Sequence, residues 1–445
     1  MSQTGDILKK SMMSQNTTQI NKIATTLSLG LGLAMMPTIA QAQSVNIFMT
    51  QTPVVPEPSA IISAERTRAL HLFQALTGVS IPIDDPRLKS MESYLKAGQT
   101  AMAEHVATDD PLFYNFRVAN LAAKMSTRDE TARAPLNDLI ATFVGVVRDS
   151  DSIPATQLLT GNFTYQADNS VITANGGTAV PADPMADILT SKGKHYSMIA
   201  SSNFSLKAVL KKVDGQQIVQ GGAVVAHPDP AGILTSVAFL SAHADAGTNR
   251  RLVEYSFREF MCQPITNWAD GTSPDDRVGQ DVDRMPGGSP NKFLTTCKNC
   301  HANMDGMRGA FGLVDYDANS GLPTFGTKVV AKMLRNSDVY KAGYMMKDNS
   351  FVNYANSGNN ADQFGWRSAA MSGTGINAYA TMLSKSAGFS RCMVRRVFTD
   401  VCKRAPASTE DAMVRSVAEK FESDSYHMRR LFETVALRPE CGVNN

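Results

Sequence analysis

Apolar positions three and four residues apart dominate both ends of this chain and fade in its middle. That spacing marks the buried stripe of an amphipathic helix. Between residues 63 and 149, Ser63 is placed to cap a helix that runs to Gly78. Asp85-Pro86 and Asp110-Pro111 each set an N-cap acceptor before a first-turn proline. Leu139, Phe143, Val146 and Val147 continue the stripe after Pro135. Residues 150–230 lose the period and become rich in Gly, Thr, Asn and β-branched residues, with Gly-Gly pairs at 176–177 and 221–222. They predict loops with a few short strands, one a hairpin around Asp214-Gly215. Helical spacing returns over 231–243, 249–262, 291–303, 327–335, 376–404, 409–422 and 425–437. Long loops, notably 265–290 and 346–365, separate these helices; loops of that length usually serve a function or wrap a ligand. The fold expected is mainly α.

The first 42 residues read differently. Lys9, Lys10 and Lys22 precede the apolar run 23–36, and Pro37 and the small-x-small site Ala40-Gln41-Ala42 follow it. This is the pattern of an export signal, and it predicts a mature chain starting at Gln43. The run is short for a membrane span, which needs about 20 residues. No later run is longer, so no integral span is expected after signal removal. Residues 43–60, with prolines at 53, 56 and 58, form a loose lead-in. The signal carries three Lys and one Asp, which leaves 40 basic and 40 acidic residues in the mature chain. A neutral balance weighs against nucleic-acid binding and against long-range charge steering of a partner.

Chemistry concentrates at Cys297-Lys298-Asn299-Cys300-His301. This CxxCH is the attachment pattern of c-type haem. Two thiols one helical turn apart can meet the two vinyl groups of one haem, and the adjacent imidazole then lies under the iron as an axial ligand. An export signal fits, because this haem is attached outside the cytoplasm. A zinc half-site would need a second CxxC-like pair, and Cys392 and Cys402 are too far apart for that. A thioredoxin-like pair would need a βαβ context that is absent. Hydrolase, zinc-protease, phosphate-loop and dinucleotide motifs are also absent.

Cys262, Cys392, Cys402 and Cys441 remain, an even number that suggests two disulfides in an exported protein. Met393, Val394, Val397, Phe398 and Val401 put Cys392 and Cys402 on one helix. Ten helical residues span about 15 Å, whereas disulfide Cα atoms lie within about 7 Å. Cys262 and Cys441 should therefore each pair with one of the two helix cysteines.

The sixth iron ligand is open among Met345, Met346, Met371 and His243. A methionine there is common in electron carriers and raises the potential. Arg250, Arg251 and Arg284 are candidates for haem propionates. Asp281–Gly288 lacks calcium-loop spacing and reads as the loop feeding the haem helix.

Ala231-Gly232-Ile233-Leu234-Thr235, Phe239-Leu240, Arg250-Arg251 and the CxxCH resemble the large planctomycete-type c-type cytochromes, exported multi-domain proteins of unknown function with one such motif. After the motif that family has Asp-Pro-x-Gly-Phe and Glu-x-Phe-Asp. The counterparts here are Asp305-Gly306 with Gly309-Ala310-Phe311, then Val314-Asp315-Tyr316-Asp317. Phe389-Ser390-Arg391-Cys392, Phe398, Phe421 and Leu431 resemble its C-terminal helical domain. The proline after Asp305 is missing, and residues 265–290 replace the family's proline-rich run.

Five segments follow: a signal peptide (1–42), a helical N-terminal domain (43–150), an irregular segment with short strands (151–230), a haem-binding cytochrome c-like region (231–375) and a helical C-terminal domain (376–445). The function expected is a periplasmic or secreted mono-haem cytochrome. It would carry one covalent haem c and pass single electrons to or from an unidentified redox partner. Its alternatives are a peroxidase- or oxidase-like haem enzyme with an open sixth position, and a surface structural or binding protein with an accessory haem. About 400 mature residues for one haem keep both alternatives in play.

Overall fold

Ser63 accepts from the Arg66 amide at 3.1 Å and starts α1 (Ala64–Thr77), which Gly78 ends in a left-handed conformation. Asp85 accepts from the Arg87 amide at 2.9 Å and starts α2 (Pro86–Lys96). After α3 (Thr100–Asp109), Asp110 accepts from the Leu112 amide at 2.8 Å and opens a helical stretch. That stretch passes through a π-type turn, Phe113–Val118, into α4 (Ala119–Lys124). α5 (Asp138–Arg148) is buried over nearly all its length. The computed structural model describes residues 62–191, 193–334 and 343–442. The expected signal peptide and lead-in lie outside the described residues.

The middle of the chain corrects the sequence reading. Besides strands, it holds five short helices: α6 (Gln157–Thr160), α7 (Asn169–Ala174), α8 (Pro184–Ser191), α9 (Lys194–Ser201) and α10 (Leu206–Val209). The hairpin is also displaced. β2 (Leu210–Asp214) pairs antiparallel with β1 (Phe163–Ala167), far back in the chain, so Asp214-Gly215 joins two different sheets. The hairpin turn is Gly221-Gly222, both at positive φ, between β3 (Gln217–Gln220) and β4 (Ala223–Ala226). Glycine suits these positions because a Cβ strains a left-handed backbone.

A 3-10 turn, Gly232–Thr235, leads to α11 (Val237–His243), followed by α12 (Arg250–Phe260). A π-type turn, Phe293–Cys297, runs directly into α13 (Lys298–Met307). β5 (Val314–Asp317) and β6 (Leu322–Phe325) complete a four-stranded sheet of order β4-β3-β6-β5, in which β3 and β6 are parallel. Of the helix expected over 327–335, the described residues show a 3-10 turn, Ala331–Leu334. β7 (Ser350–Val352) pairs with β8 (Ser372–Thr374), with α14 (Gly358–Phe364) between them. The helix expected over 376–404 is two helices, α15 (Gly375–Ser384) and α16 (Ala387–Cys402). Ser386 makes the break by accepting from the Phe389 amide at 3.1 Å and capping α16. α17 (Asp411–Ser423) and α18 (Met428–Ala436) close the fold.

Among the described residues the architecture is therefore mainly α with small sheets. One hydrophobic core runs from Ala69 to Ala436, across the borders expected near 150, 230 and 375. From residue 62 onward the chain packs as one unit. Asp138, at the start of α5, accepts from the Val237 and Ala238 amides at 2.6 and 3.1 Å, and so ties the first helices to α11. Thr108 donates to Glu433 at 2.6 Å and ties α3 to α18. Among the described residues no helix is long and apolar enough to cross a membrane.

Both disulfides obey the expected rule. Cys262 pairs with Cys392, and Cys402 with Cys441. The helix cysteines stand at different levels of α16, and each takes a partner from outside it.

Candidate functional site

The CxxCH motif sits where the π-type turn passes into α13. A π turn holds one residue more than an α turn, and such turns are frequent at functional sites. Two contacts fix the helix. On one side, Asn303 donates to the Asp270 carbonyl at 3.2 Å and accepts from Ser273 at 2.8 Å, and the Asp270 amide donates to the Asn299 carbonyl at 2.9 Å. On another side the backbone of β7 comes very close. A Cβ on Gly306 would lie 2.5 Å from the Val352 carbonyl oxygen, and one on Gly309 would lie 1.9 Å from that of Ser350. Cys297, Cys300 and His301 stay half-buried. Cys297 packs on a small apolar cluster of Val278, Val282, Phe293 and Ala302.

Among the described residues, Cys297 and Cys300 are the free cysteines. Burial pushes the Cys300 thiol pKa up, so it is not an activated thiolate of the kind reactive cysteines need. No group of three or more His, Cys, Asp or Glu among the described residues is arranged to hold a metal ion. Cys392 and Cys402 are consumed in disulfides, which removes them as partners of a zinc half-site.

His301 faces a buried set of charges. Its Nδ1 lies 3.5 Å from Asp305 Oδ1, one helical turn on, and makes no hydrogen bond. Nδ1 is enclosed while the side chain keeps 26% exposure, so the open edge of the ring is the one carrying Nε2. Asp305 has no exposed side-chain surface. Arg250 grips it with two bonds, Nε to Oδ1 at 2.5 Å and Nη2 to Oδ2 at 2.7 Å, and the Gly279 amide adds a third at 2.9 Å. Arg250 also binds Asp281 at 2.6 and 2.9 Å. Arg308, 2% exposed, stands 3.5 Å from Asp281 and 4.0 Å from Asp305. Burial alone would raise the Asp305 pKa. The Arg308 charge, the Arg250 bonds and the His301 contact outweigh it and hold the carboxyl well below the usual range.

The suggested sixth ligands separate by environment. Met345 is exposed at 43%, and its neighbour Tyr344 donates its amide to the Val278 carbonyl at 2.8 Å, beside the cluster on which Cys297 packs. Met346 is buried, with its sulfur close against Gly312. Met371 packs on the main core, its sulfur 3.6 Å from the Asn353 amide nitrogen. His243 is enclosed, stacked on Tyr255 at 3.9 Å with Phe239 at 4.7 Å. Burial pushes its pKa down to about 3, so it is neutral.

The arginines separate as well. Arg250 is committed to Asp305 and Asp281, which corrects its reading as a propionate ligand. Arg251 pairs with Asp245 at 2.6 Å. Arg284 lies over the Phe293 ring at 4.4 Å and donates to the Val278 carbonyl at 2.9 Å, and its Nε has no partner. Sequence reasoning did not single out Arg308, whose Nε and Nη1 also lack hydrogen-bond partners.

The residues present fit a haem. Two free thiols and an imidazole with a free Nε2 edge share one helix. Leu294 and Met285, both more than half exposed, join Met345 as apolar side chains in the segments around the motif. Compared with known proteins, the chain matches no family model, no curated protein and no solved structure.

Proposed function

We propose that this chain is an exported mono-haem c-type cytochrome that passes single electrons to or from a redox partner protein. One observation carries the reading: four of the six cysteines are locked in two disulfides, and the two left free are those of CxxCH. In an oxidising compartment, free thiols set side by side and next to a histidine are reserved for another covalent bond. A covalently held haem supplies a one-electron iron couple. Each thiol would add across a vinyl group. A sulfur–carbon bond forms, the thiol hydrogen goes to the neighbouring vinyl carbon, and no oxidant is needed.

The chain's own residues do the rest. His301 presents Nε2. The apolar cluster under Cys297 would shield the ring from water, the exposed Leu294, Met285 and Met345 would be covered by it, and Arg284 would offer a donor to a carboxylate. The resemblance to planctomycete-type cytochromes supports the same cofactor. Export rests on the pattern of residues 1–42 and expects Gln43 at the mature N-terminus.

The test is expression in a cell that exports the chain and matures c-type haem. The protein should weigh one haem more than the polypeptide and give a c-type pyridine haemochrome. Cys297→Ser or Cys300→Ser should weaken or abolish attachment. Haem that extracts into acidic ketone, or no haem at all, overturns the reading. The haem-enzyme alternative draws on the size of the chain, and ready carbon monoxide binding to the unmodified protein would favour it over the carrier.

A further inference from the structure

We infer that Asp305 is a positioning residue for His301: it fixes the imidazole through Nδ1 and strengthens the donor at Nε2, which lowers the reduction potential of a metal bound there. The inference rests on the haem reading and concerns how the chain tunes that haem.

An ionised carboxylate offers about four acceptor positions. Arg250 takes two and the Gly279 amide a third. The fourth, on Oδ1, is filled by none of these donors, and His301 Nδ1 stands 3.5 Å from that oxygen with no hydrogen bond of its own. Nδ1 is buried with no competing acceptor, so a neutral imidazole keeps its proton there and its lone pair on Nε2. Hydrogen-bonding of a ligating imidazole to a carboxylate raises its basicity and fixes the ring. A stronger donor favours the oxidised metal.

The arrangement is rigid for local reasons. His301 and Asp305 are four apart on α13, so the helix itself sets their separation. Arg250 comes from α12 and is itself held by Asp281, so the Asp305 carboxylate cannot rotate away without breaking both of its bonds to an anchored guanidinium. Arg308 adds a second nearby positive charge.

A purely structural ion cluster would look similar, so the experiment must separate the two roles. The full chain, loaded with haem, is compared in four forms: unmodified, Asp305→Asn/Arg250→Gln, Asp281→Asn/Arg308→Gln, and Asp305→Glu. Each double variant removes one positive and one negative charge from the same cluster, but only the first removes the negative charge that faces His301. Asp305→Glu keeps the charge and displaces the carboxylate. Midpoint potential is read beside the pyridine haemochrome. The first double variant and Asp305→Glu should keep covalent haem and shift to higher potential, while the second double variant shifts little. Haem attached with an unmoved potential in the first variant and in Asp305→Glu, or an equal shift in both double variants, overturns this inference and leaves the cytochrome reading standing. Absence of covalent haem from the unmodified chain overturns both.

Discussion

Arg117 Nη1 donates to the backbone carbonyl of Asp400, 283 residues further along the chain, at 2.6 Å. The same guanidinium donates to the Ala75 carbonyl at 2.6 Å and the Gln74 carbonyl at 3.2 Å. One buried cation therefore closes the last turns of α1 and α16 together, where helix carbonyls are unsatisfied and the dipole favours positive charge. Arg117→Met should leave the Asp400 and Ala75 carbonyls without that donor, while the Gln74 carbonyl keeps the Gly78 amide. It should destabilise the fold by on the order of 3 kcal/mol, read as a lower denaturation midpoint with haem content unchanged.

The two disulfides should contribute unequally. They close separations of 130 and 39 residues. In the chain-entropy account the longer loop restrains the unfolded chain more, by about 1 kcal/mol. Cys262→Ser/Cys392→Ser should therefore lower stability more than Cys402→Ser/Cys441→Ser. Non-reducing peptide maps should show these two pairs and no Cys392–Cys402 peptide.

Glu104 should make stability fall as pH rises. It is buried on α3, and burial with the Glu433 charge beside it pushes its pKa up to about 8 from an ordinary 4.5. Between those values the folded protein holds a proton that the unfolded chain has released. The favourable contribution is complete below about 4.5 and is lost as pH climbs through about 8. Glu104→Gln should flatten that decline, stabilising the protein most near pH 8 and little near pH 4.5, as read by denaturant midpoints across the series.

Of the four candidates, Met345 is the exposed one, and its neighbour Tyr344 bonds the Val278 carbonyl beside Cys297, so it is the one expected to act as a sixth ligand. Met345→Ala should remove the long-wavelength charge-transfer band of the oxidised protein and open the iron to carbon monoxide. Met346→Ala and Met371→Ala should keep the band; loss of the buried Met346 side chain should instead cost about 2–4 kcal/mol of stability, as core truncations do, and loss of the partly buried Met371 less. A band that survives Met345→Ala but disappears in another of the variants would move the assignment there.

Caps were the most legible feature of the sequence, because an N-cap needs one side chain and a few local residues. Ser63, Asp85 and Asp110 act as expected. Asp183-Pro184 carries the same signal, and Asp183 accepts from the Met185 and Ala186 amides at 2.8 and 3.1 Å. It was hidden among Gly- and Thr-rich residues, where helices of four to eight residues are too short to show a period. The partner of β2 was not legible either, because β1 lies more than forty residues upstream and no local turn announces it. The motif cysteines and His301 could be read directly. The charges behind them could not, since Arg250 lies 55 residues from Asp305 and 31 from Asp281. The spacings of His301, Asp305 and Arg308, four and three residues apart, were the local clues to that cluster.

The buried charges behind His301 also fix how small a working piece of this protein can be. Two guanidinium groups and two carboxylates come from α12, from the loop at 281 and from the segment that begins with α13. Each is costly to enclose alone. A fragment cut just outside the CxxCH helix would carry Asp305 and Arg308 without Arg250 or Asp281. Any fragment that keeps this cluster neutral must begin upstream of Arg250 and end downstream of Arg308. Within those limits the loop from 261 to 292 is structural cargo that cannot be trimmed through residue 281.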